Sequence, residues 1–168
     1  TSEKYDISAV SDGEGEPNSR QWQTIVKKLM ADRFQLRFHD EKRELPVYAL
    51  AVAKGGPKLT RSQSDPSAPG GKGFGPPGNF GATNSTMADV ADALGYVVVD
   101  RPVVDQTGLT GKFDLKLSWT PDGRTTESAD APPDFFTAIQ QELGLKLEPT
   151  KALINVLVID HVERPSAN

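Results

Sequence analysis

The chain contains no cysteine, which excludes disulfides, thiolate metal sites and thiol nucleophiles while leaving the compartment open. Histidine is scarce, with only His39 and His161. No apolar run approaches the ~20 residues that a membrane-spanning helix needs. Positive charge is not in surplus: 19 Lys and Arg face 23 Asp and Glu, for a net charge of −4. The only paired cations are Lys27-Lys28 and Lys42-Arg43, which suit solvated helix and turn positions. A general nucleic-acid binder would need a basic face, so that class of partner is set aside. Apolar content is low at 36%, and glycine and proline are plentiful, at 15 and 13. Thirteen of these glycines and prolines fall between residues 55 and 81. The rest of the chain is close to ordinary globular composition, and 168 residues fit one domain or two small halves sharing a core.

Residues 5–10 alternate like a strand, and a polar loop with Asp12-Gly13 as its turn signal follows. Trp22, Ile25, Val26, Leu29 and Met30 form one helical apolar stripe, expected to be core, with Ser19 as its N-cap. Residues 34–38 alternate again, Asp40-Glu41-Lys42-Arg43 reads as a charged turn, and the apolar run 45–53 reads as a central strand covered on both faces. Pro46 is then confined to its start or to an edge. Residues 55–81 hold too few branched apolar side chains to offset the entropy of ordering them, which predicts a mobile Gly/Pro-rich loop. Ser85-Thr86 caps a helix carrying Met87, Val90, Ala91 and Leu94, expected to run to about Val99 before Pro102.

The stretch from Arg101 to Trp119 organises the second half. Val103-Val104 meets turn signals at Thr107-Gly108 and Gly111, with Asp105 as a turn or cap residue. A strand follows with Phe113, Leu115, Leu117 and Trp119 on one face. After a polar loop over 120–133, with its turn at Pro121-Asp122-Gly123, Asp134 caps a helix bearing Phe135, Phe136, Ile139 and Leu143 that Gly144 stops. Leu145-Lys146-Leu147 is read as a strand, residues 148–151 as a turn, and 154–159 as a second buried strand.

A constant offset of 109 places Val26, Met30 and Phe34 on Phe135, Ile139 and Leu143. It also carries Leu36 and Phe38 onto Leu145 and Leu147, and Val47 and Leu50 onto Val156 and Ile159. Tyr5-Asp6-Ile7 corresponds to Phe113-Asp114-Leu115. The expected fold class is therefore α+β, with two related βαββ halves whose helices pack on small mixed or antiparallel sheets. The expected boundaries are 1–54 for the first half, 55–81 for the loop, and 82–168 for a connecting helix plus the second half, all within one compact domain.

The sequence spells no catalytic or ligand-binding motif in a context that would support it. Gly73-Phe74-Gly75-Pro76-Pro77-Gly78 spells a dinucleotide fingerprint, but two prolines remove amides and no helix follows at once. His39 beside Asp40-Glu41, and His161 after Asp160, lack the spacing of a metal-binding helix. No nucleophile elbow is present. Asp12, Glu14 and Glu16 lack the ligand order of a calcium loop. Asn84-Ser85-Thr86 spells a glycosylation acceptor that helix capping explains without a glycan. No residue is assigned a catalytic, cofactor-binding or metal role.

Several runs together carry a resemblance: Leu29-Met30-Ala31-Asp32-Arg33-Phe34, Arg43-Glu44-Leu45-Pro46-Val47-Tyr48, residues 53–59, residues 101–114, residues 137–149 and residues 158–165. On these the chain resembles a large acidobacterial family of secreted proteins whose activity is not established. That resemblance implies an extracytoplasmic location, with a secretion signal and further sequence ahead of residue 5, and it carries over no catalytic residues. The order of elements is also similar to the small domains at the N-termini of secretins and TonB-dependent receptors, which are periplasmic interaction modules. Two functions are expected from this. One is a non-catalytic binding or assembly module, with another envelope protein as partner and sheet edges open to strand addition. The other is a hydrolase or small-ligand enzyme with a site between the halves, residues 55–81 as lid, and carboxylates or His39 acting.

Overall fold

The computed structural model describes residues 19–121 and 132–165. The strand expected at 5–10, the Asp12-Gly13 turn, the acidic loop and the Asp122-Gly123 turn lie outside them. The described residues form α1 (Ser19–Phe34), β1 (Arg37–Val52), β2 (Thr60–Arg61), β3 (Gly71–Phe74), β4 (Asn79–Ser85), α2 (Met87–Val97), β5 (Val103–Asp105), β6 (Phe113–Ser118), α3 (Phe135–Leu143) and β7 (Leu145–His161). The fold is α+β, with two small sheets in the strand orders β5-β1-β7 and β2-β6-β4-β3. The chain divides into two compact units, Arg43–Ile154 and a second made of Thr1–Lys42 with Asn155–Asn168. β1 and β7 each contribute residues to both units.

The larger unit holds the core. Leu50, Met87, Val90, Leu94, Leu117, Ile139 and Leu145 are all essentially inaccessible to solvent. β5 pairs in parallel with β1, Tyr48 opposite Val103 and Leu50 opposite Asp105. Tyr48 donates its amide to Pro102 O and Gln106 donates to Leu50 O, both at 2.9 Å. Val47, Ala49 and Leu50 are buried, as the apolar run predicts. Pro46 sits within β1 rather than at its start. Amide direction alternates along a strand, so an N–H at 46 would aim to the same side as that of Tyr48, past the start of β5, where no ladder acceptor remains.

The charged runs read as turns are not turns. Asp40 to Arg43 and Glu148 to Lys151 lie inside single strands of 16 and 17 residues. Their side chains are mostly exposed, so charge is tolerated without breaking the ladder. Each expected strand–turn–strand is thus one long strand. The residues 154–159 are not buried either. Ile154, Val156 and Val158 are half-buried, while Leu157 is 50% and Ile159 58% exposed. β7 stands last in its sheet's order, and alternation of this kind means that only one of its faces is covered.

The stretch 55–81, expected without regular structure, contains β2, β3 and the first residues of β4. β3 and β4 form an antiparallel hairpin, with Phe74 opposite Phe80 and their rings 4.8 Å apart. Backbone pairing supplies what side-chain burial does not, because glycines at 71 and 73 fit a ladder with exposed positions. β4 pairs with β6 and breaks register between Ala82 and Ser85. This bulge contains Asn84, whose φ is +46°, and its displaced amide donates to the Asp114 carboxylate at 2.7 Å. Phe113, Leu115 and Leu117 of β6 are buried as the alternation predicts, and Trp119 is half-buried.

α2 begins at a capping box. Asp89 N donates to Thr86 Oγ1, and Thr86 N and Oγ1 donate to Asp89 Oδ2. The helix ends at Val97, two residues short of the expected Val99. α3 begins at Asp134 and ends at Gly144 with φ +64°, both as predicted. A β-carbon at Gly144 would overlap the Gly56 carbonyl, so that position admits only glycine.

In the smaller unit α1 runs through Phe34, which was expected to start a strand, and the chain reverses at Gln35 with φ +51°. Glu163 N donates to Phe34 O at 2.7 Å. The apolar stripe of α1 is only partly covered: Ile25, Leu29 and Met30 are half-buried, but Trp22 and Val26 are nearly half exposed. A stripe records what a helix could bury, and how much chain lies over it is a separate matter. α1 and β1 meet at Gln35, and α3 and β7 meet at Gly144, positions separated by the offset of 109.

The capping box makes a pH prediction. The Thr86 hydroxyl, then the Thr86 amide and Lys72, hold the Asp89 carboxyl below its ordinary value near 3.8. A depressed carboxyl stabilises the fold fully above its unfolded pKa, and the effect is lost as pH falls through the folded one. Thr86→Val should cost about 1 kcal/mol at neutral pH in urea denaturation. It should also flatten the acid limb of the stability curve below pH 4 relative to the parent chain.

Candidate functional site

A cleft of about 610 Å³ opens within the larger unit. Five separate elements bring residues to it: Tyr48 from β1, the tip of the β3–β4 hairpin from Phe74 to Asn79, Val98 to Asp100 after α2, Trp119 after β6, and Asp134 to Phe136 at the start of α3. Its dominant feature is a run of rings. Tyr48 meets Phe136 edge-on at 5.8 Å, Phe136 meets Phe135 at 5.6 Å, and Phe135 meets Trp119 at 5.3 Å, with interplanar angles of 64°, 71° and 70°. Such edge-to-face pairs are favourable in their own right and set the rings as ridges rather than one flat platform. The Arg101 guanidinium lies 4.8 Å from the Tyr48 ring centre.

Backbone bonds fix the walls. Trp119 N donates to Gly78 O at 2.8 Å, tying the hairpin tip to the end of β6. Gly78 has φ +93°, and a β-carbon there would overlap the Trp119 carbonyl. The tip closes on itself through Asn79 N to Pro76 O and Gly75 N to Asn79 O, both 3.1 Å. Gly73 to Gly78, the stretch spelling a dinucleotide fingerprint, is therefore a hairpin tip, and its amides at 75 and 79 face chain acceptors.

The two aspartates and the asparagine of the cleft hold bonds within the chain. Asp134 accepts from Thr137 N at 3.1 Å and from Thr137 Oγ1 at 2.6 Å. Those bonds, the hydroxyl's first, hold its carboxyl below the usual range. Asp100 receives Arg101 Nε at 3.0 Å and Nη2 at 2.8 Å, a two-pronged pair that likewise lowers its carboxyl. Asn79 donates to Pro76 O at 3.3 Å and accepts from Ser118 Oγ at 2.9 Å.

The histidines lie elsewhere. His39 Nδ1 stands 2.9 Å from both carboxylate oxygens of Asp160, and His161 Nε2 stands 2.8 Å from Glu163 Oε1. All four side chains are about half exposed. Neither histidine lines the cleft. Among the described residues no three His, Asp or Glu side chains gather as metal ligands. The sequon asparagine, Asn84, is buried, and both hydrogens of its amide are given to Asp65 O and Ala68 O. It serves the bulge and is closed to glycan transfer.

Sequence reasoning named Trp119 and Phe135 as core and passed over Tyr48, Phe74, Phe136 and Asp100 as a group. One signal was there. Two adjacent phenylalanines on a helix point about 100° apart, so Phe135 and Phe136 cannot both face one core. Phe135 is buried and Phe136 is 48% exposed.

Fold and cleft together define a small α+β protein with an aromatic-lined cleft. By sequence the chain belongs to the family described as protein of unknown function (DUF3738), which matches residues 1–162. No curated protein and no solved structure matches it.

The tie between Gly78 and Trp119 can be probed directly. Gly78→Ala should displace the hairpin tip, cost about 2 kcal/mol or more in chemical denaturation, and shift the Trp119 emission. Gly73→Ala, where an added methyl meets nothing within 4 Å, should change neither beyond about 0.5 kcal/mol.

Proposed function

We propose that this protein is a non-catalytic binding or assembly module that acts outside the cytoplasm on another protein of the cell envelope, with the aromatic cleft as its binding surface. The observation that carries the reading is the unbroken run Tyr48, Phe136, Phe135, Trp119, which lines a cleft whose carboxylates are engaged in capping and ion pairing. Aromatic side chains supply large contact area at low entropic cost and are enriched where proteins bind. An acid–base pair would need carboxyls with free geometry and separated pKa values, whereas Asp100 and Asp134 are both pushed down. The location rests on the resemblance to secreted acidobacterial proteins and on the likeness in element order to secretin and TonB-receptor N-terminal domains.

The same reading takes the chain as two copies of one helix–strand unit. In support, the offset of 109 carries Phe34 and Gln35, where α1 ends and the chain reverses, onto Leu143 and Gly144, where α3 does the same. The two long strands that follow also coincide under it to within a residue.

Immobilised chain should retain a protein from envelope extracts of the source organism and not from its cytosol. Phe136→Ala removes an exposed ring, so it should weaken that capture at least tenfold with thermal stability nearly unchanged. Equal capture by Phe136→Ala and Tyr48→Ala, or a partner found only in the cytosol, would overturn the proposal.

A further inference from the structure

Resting on that cleft reading, we propose that the ligand is a proline-rich segment in the polyproline II conformation carrying a neighbouring lysine or arginine. The argument starts from an imbalance of hydrogen-bonding groups. Tyr48 and Trp119 bring a hydroxyl and an indole N–H to the lining residues, and within the described residues neither side chain has a hydrogen-bond partner. The acceptor side chains around them already hold bonds within the chain: Asp134 from Thr137, Asp100 from Arg101, and Asn79 from Ser118. The cleft therefore offers ring surface and donors, and it is matched by a ligand rich in apolar rings and in free acceptors.

A polyproline II helix has that inventory. Its carbonyls are unbonded, its prolines carry no N–H, and its three-residue turn presents pyrrolidine rings at regular intervals. It is ordered before binding, so little entropy is lost on docking. The ring geometry points the same way. Successive rings stand 64° to 71° apart, which leaves valleys between ridges that a prolyl ring can enter. A sugar stacks best on a flat ring face, and its hydroxyl donors would have to share acceptor side chains that already hold bonds within the chain. Charge adds the flanking cation. Of the two charged side chains that line the cleft among the described residues, Asp100 is paired with Arg101 and Asp134 has no cationic partner, so the charge of Asp134 favours an incoming ammonium or guanidinium.

The test uses the full chain with Trp22→Phe, so that emission reports Trp119 alone. The probe is a synthetic oligoproline peptide with one terminal arginine, alongside a soluble β-glucan oligosaccharide. Saturable binding of the peptide with a shift in Trp119 emission is expected. Tyr48→Phe, which keeps the ring and loses the donor, should weaken it about fivefold. Trp119→Phe, followed by calorimetry, should weaken it at least as much. Asp134→Asn, which still caps α3, should weaken the arginine peptide about threefold and leave an uncharged oligoproline unaffected. Peptide binding that all three substitutions leave intact would overturn the proposal, because the peptide would then sit elsewhere. Sugar binding with a Trp119 shift, in the absence of peptide binding, would overturn the ligand class and leave the cleft reading standing. A chain that captures its envelope partner through Phe136 yet ignores the peptide would have the same meaning.

Discussion

Residues 47–50 of β1 carry the constraint on which the larger unit depends. They lie between β5 and β7 in the sheet and are buried or half-buried along their length, so every amide and carbonyl there must be paired within the protein. β5 meets that demand on one side with only three residues, helped by Pro102 O and Gln106 N just beyond its ends. Because Pro102 accepts without donating, the chain can leave the ladder there at once and return toward α2. Gly95 of α2 lies so close to Val103 N that a β-carbon would crowd it. The shortness of β5 and the small residue on α2 are thus one arrangement, and they decide how tightly the helix can lie over the sheet.

The cleft is a by-product of the same arrangement. Tyr48 and Leu50 share one face of β1, so Tyr48 packs against the edge of the core that Leu50 enters, while Val47 and Ala49 are buried on the other face. α3 reaches that face through Phe136 while Phe135 and Ile139 hold it to the core. The aromatic run is therefore anchored at Trp119 and Phe135, next to the core, and open at Phe136. Rigidity comes from the first two, and contact area from the last together with Tyr48.

What could be read in the sequence was what local chemistry dictates. Ser85-Thr86 announces the start of α2, Asp134 and Gly144 bracket α3, and the alternation from Phe113 to Leu117 gives β6 and its buried face. The long strands were misread because Asp40 to Arg43 and Glu148 to Lys151 carry turn-like charge, and composition cannot report that a strand is exposed on one face. Residues 55–81 were misread for the opposite reason: backbone pairing orders β3 although its side chains bury nothing. The cleft was out of reach because Tyr48, Phe74, Trp119 and Phe136 are distant in sequence and obey no common period. Only tertiary pairing brings them together.

The two reversals at Gln35 and Gly144 show how one backbone geometry can be held by different means. Both residues adopt a positive φ after a helix and before a long strand. At Gly144 the space a side chain would need is filled by the Gly56 carbonyl, and Ala53 N and Lys58 N close on Gly144 O and Leu143 O at 2.9 Å. There the turn is part of the packing, so glycine is obligatory. At Gln35 a side chain is accommodated at a backbone cost of about 1 kcal/mol, and its amide reaches only as far as Asp32 O, at 3.5 Å. Under the proposed duplication, the second copy has closed its turn into the core that supports the cleft. The first has kept an open one, whose helix still exposes Trp22 and Val26.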